Sequence, residues 1–372
     1  MPEHSLDNLT HTLFGATLAR AAFGAGGRGT TSALLLASNA PDIDIVAAAG
    51  GTLNYLAWHR GPTHGPLGVI GLGMVVALIV WIGERTISRR SRPTRASFGG
   101  LVGTSMIGVL GHVMMDLPTS YGTRLFSPFD WHWYASDLMP IVDVYLLGVL
   151  AAGLVIGRRP GSDGRNPALV VLAVMMLNYG VRAVGHQRAL SLSAQALGPR
   201  LPEPCPDAAT TTLLTWWPRE SPVERRERAA HRCLVEIGAI PTLLSPFRWH
   251  TIARLSDSYQ TLEVNLLDGT PSTFQDAPEA AWRKAHRYPD QWTPSVLQAA
   301  QGTLGRVFLD FSRFPATSSV VEHEDRTRVS WTDLRFTVPE GPPPWRGPRN
   351  ALFSAVVIVN RSGEIVTQRL GE

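Results

Sequence analysis

Five short stretches of this chain carry side chains able to bind a metal ion or move a proton. "DNLTH" sets Asp7 and His11 four residues apart, and "GHVMMD" sets His112 and Asp116 at the same interval. On a helix that interval puts both groups on one face, where a neutral imidazole and a carboxylate can hold a divalent ion. "NAPDID" adds Asp42 and Asp44, with Pro41 placed to disturb a helix and turn a carboxylate inward. "HRGPTH" adds His59, Arg60 and His64 directly before an apolar run, and Asp143 stands near the start of another. Taken singly, each pair reads equally well as a hydrogen-bonded link between two helices. The chemistry depends on whether one architecture gathers them.

The elements that would position them are membrane helices. Gly61–Gly83 contains no Asp, Glu, Lys or Arg, which is long enough to cross about 30 Å of hydrocarbon. Ala96–Met115 repeats this with His112 as its one titratable side chain. Leu138–Gly157 reads as a span interrupted only by Asp143, and Pro167–Val184 as a shorter one with Arg182 able to snorkel at its end. Leu9–Phe23 and Thr31–Ala49 are weaker candidates, the second containing Asp42 and Asp44. No basic n-region with a small-residue cleavage site precedes them, so no removable signal peptide is expected. The expectation is an all-α polytopic membrane domain of about six helices over residues 1–184.

Arginines orient it. Arg20 and Arg28, then Arg85, Arg89, Arg90, Arg92 and Arg95, then Arg158, Arg159 and Arg165 fall in alternate connections. By the positive-inside rule those connections are cytoplasmic. Both termini and the C-terminal domain are then expected outside an inner (plasma) membrane, and every polar cluster falls at the outer mouth of the bundle. The charge rule uses no His and no Asp, so this convergence is an independent argument for a metal site. The net charge of +4, with Lys284 the sole lysine, needs no nucleic acid to explain it. Arginines flanking spans suffice, and the expected partner is the lipid bilayer.

Residues 185–372 read as a soluble α+β domain with a mainly antiparallel sheet. "TTLLTWWP", "FRWHTIARL", "QTLEVNLLDG", "GRVFLDFSRF", "RTRVSWTDLRF" and "LFSAVVIVN" have the period of half-buried strands, and "SPVERRERAAHRCLVEIG" that of an amphipathic helix. Cys205 and Cys233 lie in this half, where an oxidising compartment would permit a disulfide; two unpaired thiols are the equal alternative. His132 among aromatics reads as an interfacial residue, and Asp137 as a carboxylate behind the site or a solvated one. His186, His231, His250, His286 and His323 lack ligand spacing. No G-x-S-x-G elbow, H-E-x-x-H or glycine-rich phosphate loop is present.

"DNLTHTLFGATLARA", "NAPDIDIV", "HRGPTHGPLG" and "GHVMMDLPTSYGTRLFSPF", in this order, resemble the YdjM-type family of inner-membrane proteins, inferred to be metal-dependent hydrolases. The resemblance covers roughly residues 5–185. That family is in turn distantly similar to zinc-dependent phospholipases C and single-strand nucleases, which gather His and Asp from several helices around zinc ions. The resemblance implies His11, Asp42, His64, His112 and Asp116 as metal ligands, with Asp44, His59 and Arg60 in the same signature. Many members carry a serine after the second histidine of the loop motif, where this chain has Gly65. The late His-x-x-x-Glu pair of the soluble enzymes has no match, so one or two ions, zinc above all, are expected rather than three.

The expected function is a membrane-embedded hydrolase that uses a metal-activated water on a phosphoester of an amphiphilic or lipid-linked substrate. In this reading Asp44 or Asp42 serves as ligand or general base, and Arg60 neutralises a phosphoryl oxygen. The alternative is a non-catalytic scaffold or regulatory protein whose polar clusters are structural and whose C-terminal domain binds a partner the sequence does not identify. An ion transporter would need polar residues through the full depth of the bilayer. The inner halves of the spans lack them.

Overall fold

The computed structural model describes residues 2–22, 29–86, 96–160, 164–197, 201–206, 208, 214–268, 285–322, 325–337 and 353–371. Arg28, Arg89, Arg90, Arg92, Arg95, Lys284 and His323 lie outside the described residues. The chain divides into a helical unit, Met1–Ala47 with Trp58–Val184, and a β-rich unit, Ala48–Ala57 with Gly185–Glu372.

The helical unit begins with α1 (Pro2–Ala22) and α2 (Thr30–Ala37), followed by a 3-10 segment (Ala40–Gly50) and α3 (Thr52–Trp58). Then come α4 (Pro66–Thr86), α5 (Phe98–Asp116), α6 (Val144–Ile156) and α7 (Arg165–Leu197), the last running into the β-rich unit. Among the described residues, four segments are long and apolar enough to cross a bilayer: Thr30–Gly50, Pro66–Thr86, Phe98–Asp116 and Arg165–Leu197. Their outward faces are oily. On α4, Ile70, Met74, Leu78 and Ile82 are exposed, and on α7, Val170, Val174, Leu177 and Val181. In water such faces would be unstable; against lipid they are the required surface. Inside, small residues let backbones approach, as expected where lipid supplies no hydrophobic drive between helices. A Cβ on Gly108 would come within 2.7 Å of the Ala37 Cβ, and one on Gly111 within 2.7 Å of the Phe14 ring.

Two expected spans take a different form. Asp143 does not interrupt a span. Its carboxylate accepts the Leu146 N–H at 2.8 Å and starts α6, whose 13 residues cover about 20 Å at 1.5 Å each. Arg182 does not snorkel: it is fully buried and its Nη2 donates to Asp143 Oδ2. A carboxylate and a guanidinium in apolar surroundings are each too costly alone, and neighbouring helices supply the match. The other weak candidate, α1, has the length of a span but carries His4, Asp7, His11 and Arg20 along it. Arg20 Nη1 donates to the Leu154 carbonyl near the end of α6 (2.8 Å).

The β-rich unit holds two four-stranded antiparallel sheets. One, in spatial order, is β3 (Leu234–Pro241), β4 (Arg248–Leu255), β5 (Ser258–Asn265) and β6 (His286–Pro289), numbered after two short strands, β1 (Trp133–Ala135) and β2 (Thr215–Trp217). The other runs β10 (Ile365–Leu370), β9 (Ser354–Val359), β8 (Thr327–Asp333) and β7 (Pro315–Val321). Among the described residues three short helices accompany them: α8 (Pro222–Arg228), α9 (Pro294–Gln301) and α10 (Thr303–Phe311). α9 and α10 bury Val296, Ala299, Leu304 and Phe308 against Val329, Trp331 and Val357.

Here local pattern misled twice. "GRVFLDFSRF" is mostly α10 rather than a strand; Leu304, Phe308 and Phe311 are buried at helical intervals, and the sheet's face selects that period. The helix expected from Ser221 onward stops at Arg228, and Leu234 onward is the strand β3. Ser221 and Glu224 form a reciprocal capping box at its start. Cys205 and Cys233 are disulfide-bonded, closing a separation of 28 residues. Restricting the unfolded chain over a loop of that length stabilises by about 3–4 kcal/mol on the chain-entropy account.

His250 on β4 is buried, and burial pushes its imidazole down to about 4. The folded form therefore holds a neutral ring, whereas the unfolded chain takes up a proton near the ordinary value of about 6.5. Between these values the unfolded state binds more protons. The stabilisation is complete above about pH 6.5 and is lost as pH falls toward 4, on the order of 3 kcal/mol in all. Denaturant melts of the β-rich unit at pH 7 and pH 5, wild type beside His250→Phe, should show the wild type losing more stability than the variant.

Candidate metal centre

α5 ends in the pair that dominates the helical unit. His112 is 0% exposed and Asp116 1%. His112 Nδ1 lies 2.8 Å from the Ser38 carbonyl. A carbonyl only accepts, so Nδ1 carries the proton and, in the neutral ring, Nε2 presents a lone pair. The carbonyl is available because α2 stops at Ala37, with Ser38 as its C-cap, and Pro41 three residues on has no N–H to offer. One helix break thus fixes the tautomer of a histidine on another helix.

What surrounds His112 Nε2 is two carboxylates and a second imidazole. His64 Nε2 is 3.3 Å away, Asp116 Oδ2 3.4 Å and Asp42 Oδ1 3.5 Å. His64 Nε2 and Asp116 Oδ2 are themselves 3.2 Å apart. Carboxylates and imidazole nitrogens at these distances share either protons or a metal ion. Four ligands at about 2.0–2.1 Å from a tetrahedral zinc stand about 3.3–3.4 Å from one another. The observed spacings, 3.2–3.5 Å, bracket that range. Two groups have ligand atoms close enough to share an ion: His64, His112 and Asp116, and His11, Asp42 and His112. His11 stacks on His112 with ring centroids 3.8 Å apart and brings Nε2 to 3.4 Å from Asp116 Oδ1.

The loop between α3 and α4 supplies the rest. Asp44 Oδ2 accepts the Arg60 N–H at 2.7 Å, and the carboxylate stands 3.2 Å from His59 Nδ1. Arg60 takes a left-handed conformation (φ 51°) to make this turn. Its side chain reaches Asp116 Oδ1 (Nη2, 3.1 Å), Thr119 Oγ1 (Nη1, 3.2 Å) and the Gly122 carbonyl (Nη1, 3.3 Å). His64 Nδ1 lies 3.0 Å from Thr63 Oγ1 and 3.8 Å from Asp44 Oδ2. Burial holds His64 below the ordinary histidine value despite the carboxylates nearby, which keeps its ring neutral and able to bind a metal.

The two aspartates that sequence left equivalent are separated here. Asp42 faces His112 and is partly exposed (22%); Asp44 is buried against His59 and the Arg60 amide. His11, Asp42, His64, His112 and Asp116 come together around His112 and Asp116. His59 meets them through Asp44, and Arg60 through Asp116. Asp143 lies with Arg182 instead. Asp137 is buried rather than solvated, and His132, 43% exposed, pairs with Asp130 at 2.5 Å. Ser38, Thr119 and Gly122 were not singled out by sequence. Two act through backbone carbonyls, which leave no residue-type signal; Thr119 sits three residues past Asp116, and that adjacency was the available clue.

Gly65 has a packing reason. A Cβ there would lie 1.8 Å from the Ser127 carbonyl oxygen, so in this chain the serine of the family motif has no room.

A chain with four apolar segments of spanning length and a buried His/Asp cluster between them is a membrane protein with a candidate metal centre. Residues 6–189 match the YdjM inner membrane protein family, and over that half the chain belongs to it. It is also similar to the uncharacterized protein YfhP of Bacillus subtilis (strain 168), at 29% identity over 132 residues. That alignment covers 36% of this chain and 38% of the relative, well under two thirds of its length. No solved structure matches.

Gly65→Ser should therefore destabilise the helical unit by about 1–3 kcal/mol or more, through displacement of the segment that carries His64. A lower thermal midpoint in detergent is the expected reading, against little change for Gly71→Ser, where a Cβ meets nothing within 4 Å.

Proposed function

We propose that this protein is a membrane-embedded metal-dependent hydrolase acting on a phosphoester of an amphiphilic or lipid-linked substrate. The observation that carries the reading is His112 Nε2, left with a lone pair in the neutral ring by the Ser38 carbonyl and facing two carboxylates and the His64 imidazole. His11, Asp42, His64, His112 and Asp116 would hold one or two divalent ions, zinc above all. Such an ion supplies Lewis acidity and, where one coordination position stays open, a water acidified toward neutral pH. Asp42 supports that openness, being the one carboxylate of the set with a share of solvent.

The remaining residues orient. Ser38 holds the His112 ring, and Asp44 holds His59 and the turn at Arg60. Asp42, partly open to solvent, would serve as ligand or as general base toward an attacking water. Arg60 spends its guanidinium on Asp116, Thr119 and Gly122, which favours a positioning role over direct neutralisation of a phosphoryl oxygen. The rest of the proposed architecture is about six spans over 1–184, with the C-terminal domain (185–372) and both termini outside the inner membrane. An amphiphilic substrate suits a site among membrane helices.

Elemental analysis of detergent-purified, never-chelated protein should find zinc or manganese near stoichiometry, strongly reduced in His112→Ala. Hydrolysis of a phosphodiester presented in mixed micelles should fall by about 100-fold or more in Asp42→Asn, with helix content unchanged. Folded protein without metal would sink the reading and leave the histidines as links between helices. Metal present but turnover unaffected by either substitution would make the ion structural.

A further inference from the structure

The β-rich unit has a second concentration of charge that the metal centre does not use. Between β2, α8 and the ends of β3 and β4, a small space of about 30 Å³ is lined by Arg219, Arg225, Arg228, Arg254 and Arg313, against Glu220 and Glu236. Five positive charges less two negative leave an excess of three. Glu220 alone receives three of the arginines: Arg254 Nη2, Arg228 Nε at 2.9 Å and Arg225 Nε at 3.5 Å. Arg313 Nη2 reaches Glu236 at 3.4 Å. The buried Asp290 carboxylate, which accepts the Trp292 indole N–H at 2.7 Å, also faces Arg225 and Arg254 and brings the excess down to two. Arg225 and Arg254 are 5% and 6% exposed, and among the described residues Arg225 Nη1 and Arg254 Nε have no hydrogen-bond partner.

Buried guanidinium groups without enough counter-charge are costly, and a protein keeps them where an anion completes them. Burial, with Arg313 and Arg254 beside it, holds even Arg219 below the ordinary arginine value.

This space adjoins a second, larger one. A cavity of about 590 Å³ shares Pro218, Glu220 and Arg225 with it, and continues between α8, α9 and α10 along Val223, Trp292, Leu297, Ala300 and Leu309. The Arg225 guanidinium lies 5.4 Å from the centre of the Trp292 ring, at the boundary between the two. Arg306 and Asp310, also on the cavity wall, add one charge of each sign. The charge excess therefore stays at one end.

We propose that the β-rich unit binds an anionic amphiphile, its phosphate or carboxylate on the arginine cluster at Arg225 and Arg254 and its apolar part in the cavity beside Trp292. The small space takes one or two waters or the oxygens of an oxyanion, and paired guanidinium donors suit that geometry. The larger space has the volume of a ligand pocket, with an apolar wall and few polar groups. This site stands independently of the metal centre.

The test is titration of full-length protein in a neutral maltoside detergent with dodecyl phosphate, inorganic phosphate and dodecanol, read by tryptophan fluorescence and calorimetry. Dodecyl phosphate should bind saturably at one site, about tenfold or more tighter than inorganic phosphate, and dodecanol should not compete. Arg225→Gln should weaken dodecyl phosphate by about tenfold or more. Leu297→Trp, which narrows only the apolar cavity, should weaken dodecyl phosphate and leave inorganic phosphate unchanged. His112→Ala should leave both unchanged. Equal affinity for inorganic and dodecyl phosphate would reduce the site to a free-anion site and overturn the amphiphile. Absence of saturable binding, or binding lost with His112→Ala but kept in Arg225→Gln and Leu297→Trp, would overturn the proposal altogether.

Discussion

A carboxylate sealed inside an apolar bundle has to be neutralised, and the polar part of the helical unit is arranged around that requirement at Asp116. Arg60 meets one oxygen at 3.1 Å, and the other, 3.2 Å from His64 and 3.4 Å from His112, is where a shared proton or a metal ion would sit. These partners come from α5 itself and from the loop before α4, so Asp116 ties that loop to the helix it packs against. Charge accounting at one buried atom pair thereby sets the position of the loop.

The break after α2 performs the complementary task. A continuous helix through Thr30–Gly50 would bond its carbonyls internally and carry its carboxylates away along its own axis. Ending α2 at Ala37 and continuing as a 3-10 segment releases the Ser38 carbonyl to His112 and brings Asp42 to the same ring. Irregular backbone at membrane depth is tolerated only where it is buried in protein or lines a cavity, and here it is the part that supplies polar contacts. Asp143 and Arg182 obey the same rule by pairing with each other away from the cluster.

The β-rich unit solves a different problem. Its two sheets are ordinary in register, its helices α9 and α10 cover one of them, and a disulfide closes the segment that carries α8. Its unusual feature is electrostatic. Arginines outnumber carboxylates in a space too small to be well solvated, and that imbalance asks for something the chain does not provide.

By itself the sequence determined the class of protein and its cast. Uncharged runs of spanning length can only be stable in lipid, and they are visible without any long-range information. Asp7/His11 and His112/Asp116 at four-residue spacing, with "NAPDID" and "HRGPTH", pointed to the family and to His11, Arg60, His64 and His112 beside Asp116, though not to Thr119. Alternation also marked β4, β5, β8 and β9 correctly, since a half-buried strand writes its period into its residues. Tertiary structure alone decided which partner each polar group has. Asp42 and Asp44 are indistinguishable in sequence because two residues on a 3-10 turn point in directions that only the packed neighbours give meaning to. Arg182 looked free to snorkel until Asp143, 39 residues away, met it. Phe308 and Phe311 fit a strand or a helix until the sheet they cover chose the helical period. Partner choice is a long-range energy, set by desolvation and packing across elements, and no local window of residues contains it.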